Sequence, residues 1–153
     1  MSVCCRVYLS GILLSILSII HFCESSNNEE TEFICTDWRL EKIQYSQDSV
    51  IVPPVNKSYT LHLLQSDSIV GQMDCNDLWG AYQLIDNRQI QFTKVGGTEV
   101  LCPGGYIGQE YMNALSSAHS YRLEDNRLYF KFNKDGQLIF LEQSSSTTQE
   151  IFN

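Results

Sequence analysis

Clustered positive charge is what this sequence most plainly lacks: its 10 lysines and arginines are dispersed among 18 carboxylates. Nucleic-acid binding needs basic side chains gathered along a phosphate backbone, so that class of partner is excluded. Histidine is scarce as well, at three in 153 residues, and no C-x-x-C or comparable ligand spacing occurs, which removes the usual patterns of a tetrahedral metal site. The apolar stretch from Val7 to Ile20 has 14 residues, Gly11 and three serines among them. That is short of the ~20 residues a spanning helix needs. No internal repeat is found, and no residue set amounts to a complete catalytic signature.

What is present describes an exported globular domain. With 43% apolar and 11% aromatic residues the chain can build one packed core, and its length suits a single domain. The first 23 residues read as an export signal, with Arg6 as the positive end, Val7 to Ile20 as the apolar stretch and "HFC" as the approach to cleavage. Cys23 followed by the polar run "ESSNNEETE" has the layout of a bacterial lipoprotein, whose first mature residue is a lipid-modified cysteine. His21 and Phe22 stand where such signals favour small residues, so plain cleavage beyond, for instance after Ser25, is the alternative. On the lipoprotein reading, residues 24–32 are a flexible tether holding the domain at a membrane. A chain starting at Cys23 keeps nine basic and 18 acidic residues, a net charge of −9.

From residue 33 onward apolar and polar residues alternate in short runs, the period-two mark of half-buried strands. "DWRLEKI" turns Trp38, Leu40 and Ile43 inward, and "YTLHLL" does so with Tyr59, Leu61 and Leu63. "SIVGQMDC", "GAYQLI", "RQIQFTK", "SYRL", "RLYFKF" and "QLIFLE" follow, separated by turn residues at Pro53-Pro54, Asp86-Asn87, Gly96-Gly97, Asp125-Asn126 and Asn133 to Gly136. The expected fold is mainly β, a small antiparallel barrel-like meander over 33–143. One short helix breaks the pattern within "YIGQEYMNALSSA", where Tyr111, Met112 and Leu115 recur at helical spacing. Residues 144–153 show neither period and are expected to be disordered.

From Trp38 to about Gln143 the chain resembles the META domain of HslJ-like bacterial envelope proteins. The resemblance rests on Trp38 in an opening "W-x-L", on Gly71, Cys75, Asn76, Gly80 and Tyr82 in "G-x-x-x-C-N-x-x-x-G-x-Y", and on Thr98, Cys102 and Pro103 in "T-x-x-x-C-P". Glu110 and Leu115 in the helix and Leu128, Phe130, Leu138 and Phe140 in a closing strand pair complete it. Glu99-Val100-Leu101 departs from the family, which has a methionine and an alanine before the second cysteine. The resemblance implies a β-barrel-like fold, an exported protein and no agreed chemistry, with a broad link to envelope stress and drug tolerance. It also implies a disulfide between Cys75 and Cys102, for which Cys35 is the competing partner. Cys35 stays a free thiol if Cys23 carries lipid and otherwise has Cys23 as a candidate partner.

The residues around Cys75 admit three readings. A nucleophile needs a base, and His62 and His119 carry no flanking motif. Asp74, Cys75 and Asp77 are too close in sequence to converge on one ion. A structural corner fits best, with Asn76, Asp77 and Gly80 as turn residues and Trp79 and Tyr82 covering the barrel end. Asn56-Lys57-Ser58 forms a glycosylation sequon that matters only in a eukaryotic pathway, and Glu99 with Glu110 form at most a weak acid–base pair. The expectation is therefore a non-enzymatic envelope module with no cofactor and no metal. Its partner is an unidentified envelope protein or lipid, with a membrane contact through Cys23. The alternatives are a carrier of a lipid or small apolar ligand in the barrel and, third, a thiol hydrolase.

Overall fold

The computed structural model describes residues 32–85, 88–103 and 107–143. The lipidation candidate Cys23, the signal, residues 24–31, the Asp86-Asn87 turn and the tail from 144 lie outside the described residues. In chain order the elements are β1 (Asp37–Gln44), β2 (Val50–Ile51), β3 (Ser58–Leu63), β4 (Ser68–Asp74), β5 (Asn76–Leu84), β6 (Ile90–Gly97), α1 (Gly108–Ser116), β7 (Ser120–Glu124), β8 (Arg127–Lys131) and β9 (Gln137–Glu142).

All pairings are antiparallel, in the order β6-β5-β4-β3-β1-β9-β8-β7, with β2 also on β1. The fold is thus two meanders, β3 to β6 and β7 to β9, joined where β1 lies between β3 and β9. The sheet curls into a half-barrel. Its outer strands β6 and β7 meet at one bridge, Gln89 to Ser120, flanked by the bonds Ile90 N–H to His119 O and Tyr121 N–H to Arg88 O. Helix α1 packs against β6, β4 and β9.

Alternation decides which side chains fill the interior. In β3 Tyr59, Leu61 and Leu63 are buried while Thr60 and His62 face outward. β1 buries Trp38 and Leu40 and then skips to Ile43, because a bulge between Leu40 and Lys42 in its pairing with β9 advances the phase by one residue. Phe130 and Phe140 pack edge to face at 5.8 Å, and Phe92 meets Phe130 at 5.2 Å. Three buried residues place their polar tips on backbone acceptors: Trp38 Nε1–H donates to Phe33 O at 2.9 Å, Tyr82 OH to Leu64 O at 2.8 Å and Tyr111 OH to Thr60 O at 3.0 Å.

Two expectations about turns need correction. Asn76, Asp77 and Gly80 do not form the corner: it is the two-residue turn Asp74–Cys75, since Met73 pairs with Asn76 and the ladder resumes at once. Asp74 takes the left-handed conformation there, at φ 59°. Gly96-Gly97 is also not a break but the end of β6. A Cβ at Gly97 would overlap Met73 and the Asp77 carbonyl, so the glycine answers to close packing of a strand. Asp125-Asn126 is a turn as expected, both residues at positive φ.

Candidate functional site

The β4–β5 turn, the loop after β6 and the start of α1 come together at one end of the first meander. Cys75 and Cys102 form a disulfide there with Cα atoms 5.6 Å apart. Cys75 therefore presents no thiol, and His62 lies at the far end of β3, 2.7 Å from Asp37. The nucleophile reading loses its thiol. Cys35 is itself disulfide-bonded, which sets aside its reading as a free thiol.

Asn76 organises the loop that the disulfide holds. Its Oδ1 accepts from Val100 N–H at 2.7 Å and Thr98 Oγ1 at 2.8 Å, and its Nδ2 donates to Val100 O at 3.0 Å. Thr98 Oγ1 in turn accepts from Asp77 N–H at 3.0 Å. One amide thus satisfies both backbone groups of Val100, 24 positions away, and the Thr98 hydroxyl, the long-range counterpart of an Asx turn. Lys57 Nζ donates to Pro103 O at 2.6 Å, which ties the loop before β3 to the same end.

Asp74 does a second job. Its Oδ2 accepts from Gly108 N–H at 3.1 Å, capping a helix whose own residue before it, Ile107, supplies no side-chain cap. Its Oδ1 accepts from Tyr59 OH, which also receives Ile107 N–H at 3.4 Å. The sequence singled out Asp74 as a weak metal candidate and missed this role, because a cap delivered from another strand leaves no local signature. Among the described residues no group of three metal-ligating side chains converges.

The motif residues divide by position. Gly71 lies against β3, where a Cβ would overlap the Thr60 carbonyl oxygen. Trp38 and Tyr82 are core residues, and Gly80 sits mid-strand where β5 shifts register against β6. Tyr82 lies at the opposite end from the disulfide, its hydroxyl pushed up to about 12 by burial and by Asp67. Trp79 does not cover the barrel. It lies over Gly96 on the outer face, 46% exposed, beside a cleft of about 450 Å³ between β5–β6 and the start of α1. Glu99 lines that cleft, whereas Glu110 lies near Tyr45, whose hydroxyl pKa is raised by burial and then by Glu110, so the two glutamates are not one site.

At the disulfide end the apolar residues point outward. Val55 is fully exposed, Leu101 89%, Val52 66% and Val100 62%. The arrangement is a small β half-barrel with a packed interior, a braced loop and an apolar rim. The chain belongs to the META domain family, whose model matches residues 31–145. It is similar to a protein from Burkholderia xenovorans solved by NMR, at 24% identity and TM-score 0.63 over 75% of this chain and 86% of that one. It is also similar to a DUF4847 family protein from Bacteroides vulgatus ATCC 8482, at 14% identity and TM-score 0.54 over 75% of this chain and 99% of that one. Both likenesses are of fold. No curated protein matches the chain. Family and disulfide are compatible with an exported protein.

Proposed function

We propose that this META domain is a non-enzymatic binding or stabilising module of the cell envelope, and that the disulfide rim is its docking face for an envelope protein. The observation that carries the reading is the contrast between the interior and the rim. Trp38, Tyr111, Phe130 and Phe140 fill the interior, while Val52, Val55, Val100 and Leu101 stand in solvent at one braced end. Apolar side chains gathered in one place and left outside the core mark interaction surfaces. Val100 and Leu101 also fall where this chain departs from the family pattern, which suits a partner particular to it. A carrier needs an enclosed apolar cavity, and the packed interior speaks against one. The family resemblance adds a link to envelope stress or drug tolerance.

One experiment tests the proposal. Val100→Asp with Leu101→Asp should abolish capture of the partner in crosslinked envelopes and leave the melting temperature unchanged. Capture that survives, at normal expression, overturns the docking face.

A further inference from the structure

The cleft beside Trp79 has polar walls, and most of their hydrogen-bonding capacity is already taken. Asn76 and Thr98 are committed to the braced loop, and both oxygens of Asp74 accept from Tyr59 and Gly108. Gln109 Nε2 donates to Asn113 at 2.9 Å. Three features stay open: the exposed face of the Trp79 indole, the Glu99 carboxylate, which has no partner among the described residues, and the apolar flank of Met112. Among the described residues no Lys, Arg or His lines the cleft, and the N-terminus of α1, which would favour an anion, is already met by Asp74.

A sugar needs many donors and acceptors at once, and these walls no longer offer them. An organic cation needs acceptors and an aromatic face, which they do. We infer that the cleft takes an alkylammonium or guanidinium group, either on a free organic cation or on a Lys or Arg side chain of the partner. The cation lies over the Trp79 ring and is held by a charge-assisted bond to Glu99. Gly96, opposite Trp79 in the ladder, is what keeps the site open: a side chain there would start 3.4 Å from the indole nitrogen. The excess of acidic residues across the chain favours approach of the same class of ligand.

The inference rests on reading this end as the binding face, but its test needs no partner. The purified chain is titrated with spermidine, with arginine ethyl ester and with a decapeptide carrying one arginine, while the two indole N–H resonances are followed by NMR. Norleucine in place of that arginine and glucose serve as neutral controls. The Trp79 resonance should shift saturably with the cations alone, and that of buried Trp38 should not. Glu99→Gln should weaken binding roughly tenfold at unchanged melting temperature, and added salt should weaken it too. A peptide that binds more tightly than the free amines assigns the site to a partner side chain, and equal affinity assigns it to a free cation. No saturable shift, an equal shift with the neutral peptide, or full affinity in Glu99→Gln overturns the inference. A negative titration beside a positive crosslink at Leu101 removes the cleft ligand and leaves the docking face.

Discussion

The seam between β1 and β9 and the rim at Cys75–Cys102 are held together by different physics. At the seam Trp38, Leu40, Ile43, Leu138 and Phe140 are buried, and six residue pairs run across the ladder from Trp38–Glu142 to Gln44–Gln137. At the rim the joining forces are one disulfide, the Asn76 amide and the Asp74 carboxylate, and the apolar side chains face water. Folding consumes the apolar surface of the first region and leaves that of the second. Side chains the fold does not use are the ones a partner can take without unfolding anything.

Mutations should separate the two regions by size of effect. Trp38→Ala empties the seam and removes the bond to Phe33 O, so it should cost about 3 to 5 kcal/mol in urea unfolding. Cys75→Ser with Cys102→Ser should cost roughly 3 to 4 kcal/mol in the chain-entropy model and expose residues 98–102 to protease, with the seam intact. Asn76→Ala should cost about 1 to 2 kcal/mol and loosen the same loop, seen as faster amide exchange at Val100. Leu101→Ala, at the rim itself, should stay within about 0.5 kcal/mol of the parent.

The opposite end of the same strands sharpens the comparison through pH. The fold favours the neutral phenol of Tyr82, whose pKa is raised to about 12 from an unfolded value of 10.0. Its contribution is therefore complete below pH 10 and is lost as pH rises from 10 through 12. Tyr82→Phe should flatten part of that decline in unfolding curves measured across this range. Tyr111, which burial holds higher still, and Tyr45, raised by burial and then by Glu110, contribute to the rest.

Much of this architecture was legible in the sequence. Alternation located β3, β4, β6 and β8 because one face of each is buried, and Trp38, Leu40 and Ile43 were placed inward despite the bulge between them. The helix came out shorter than the segment that contains it, Gly108–Ser116, since its start depends on Asp74, a residue 34 positions away. Two-residue β2 is too short for any periodicity. The site was less readable. Gly80 and Gly97 resemble turn residues in composition, yet their role is to let neighbouring strands approach closely, and closeness across strands is not a local property. The brace between Cys75 and Cys102 came from the family resemblance. Trp79 alternates correctly to face outward, and reading the Asn76–Gly80 stretch as strand would have placed it there.

The central claim is that the rim, and not the surface at large, is the binding face. A photo-crosslinking residue placed at Leu101 and, in a second protein, at Ile85 tests it most directly. Both sites are exposed and apolar, and they lie at opposite ends of the β3–β6 meander. The account predicts a discrete adduct from Leu101 in envelopes and none from Ile85. The same adduct from both positions, or one from Ile85 alone, would contradict it.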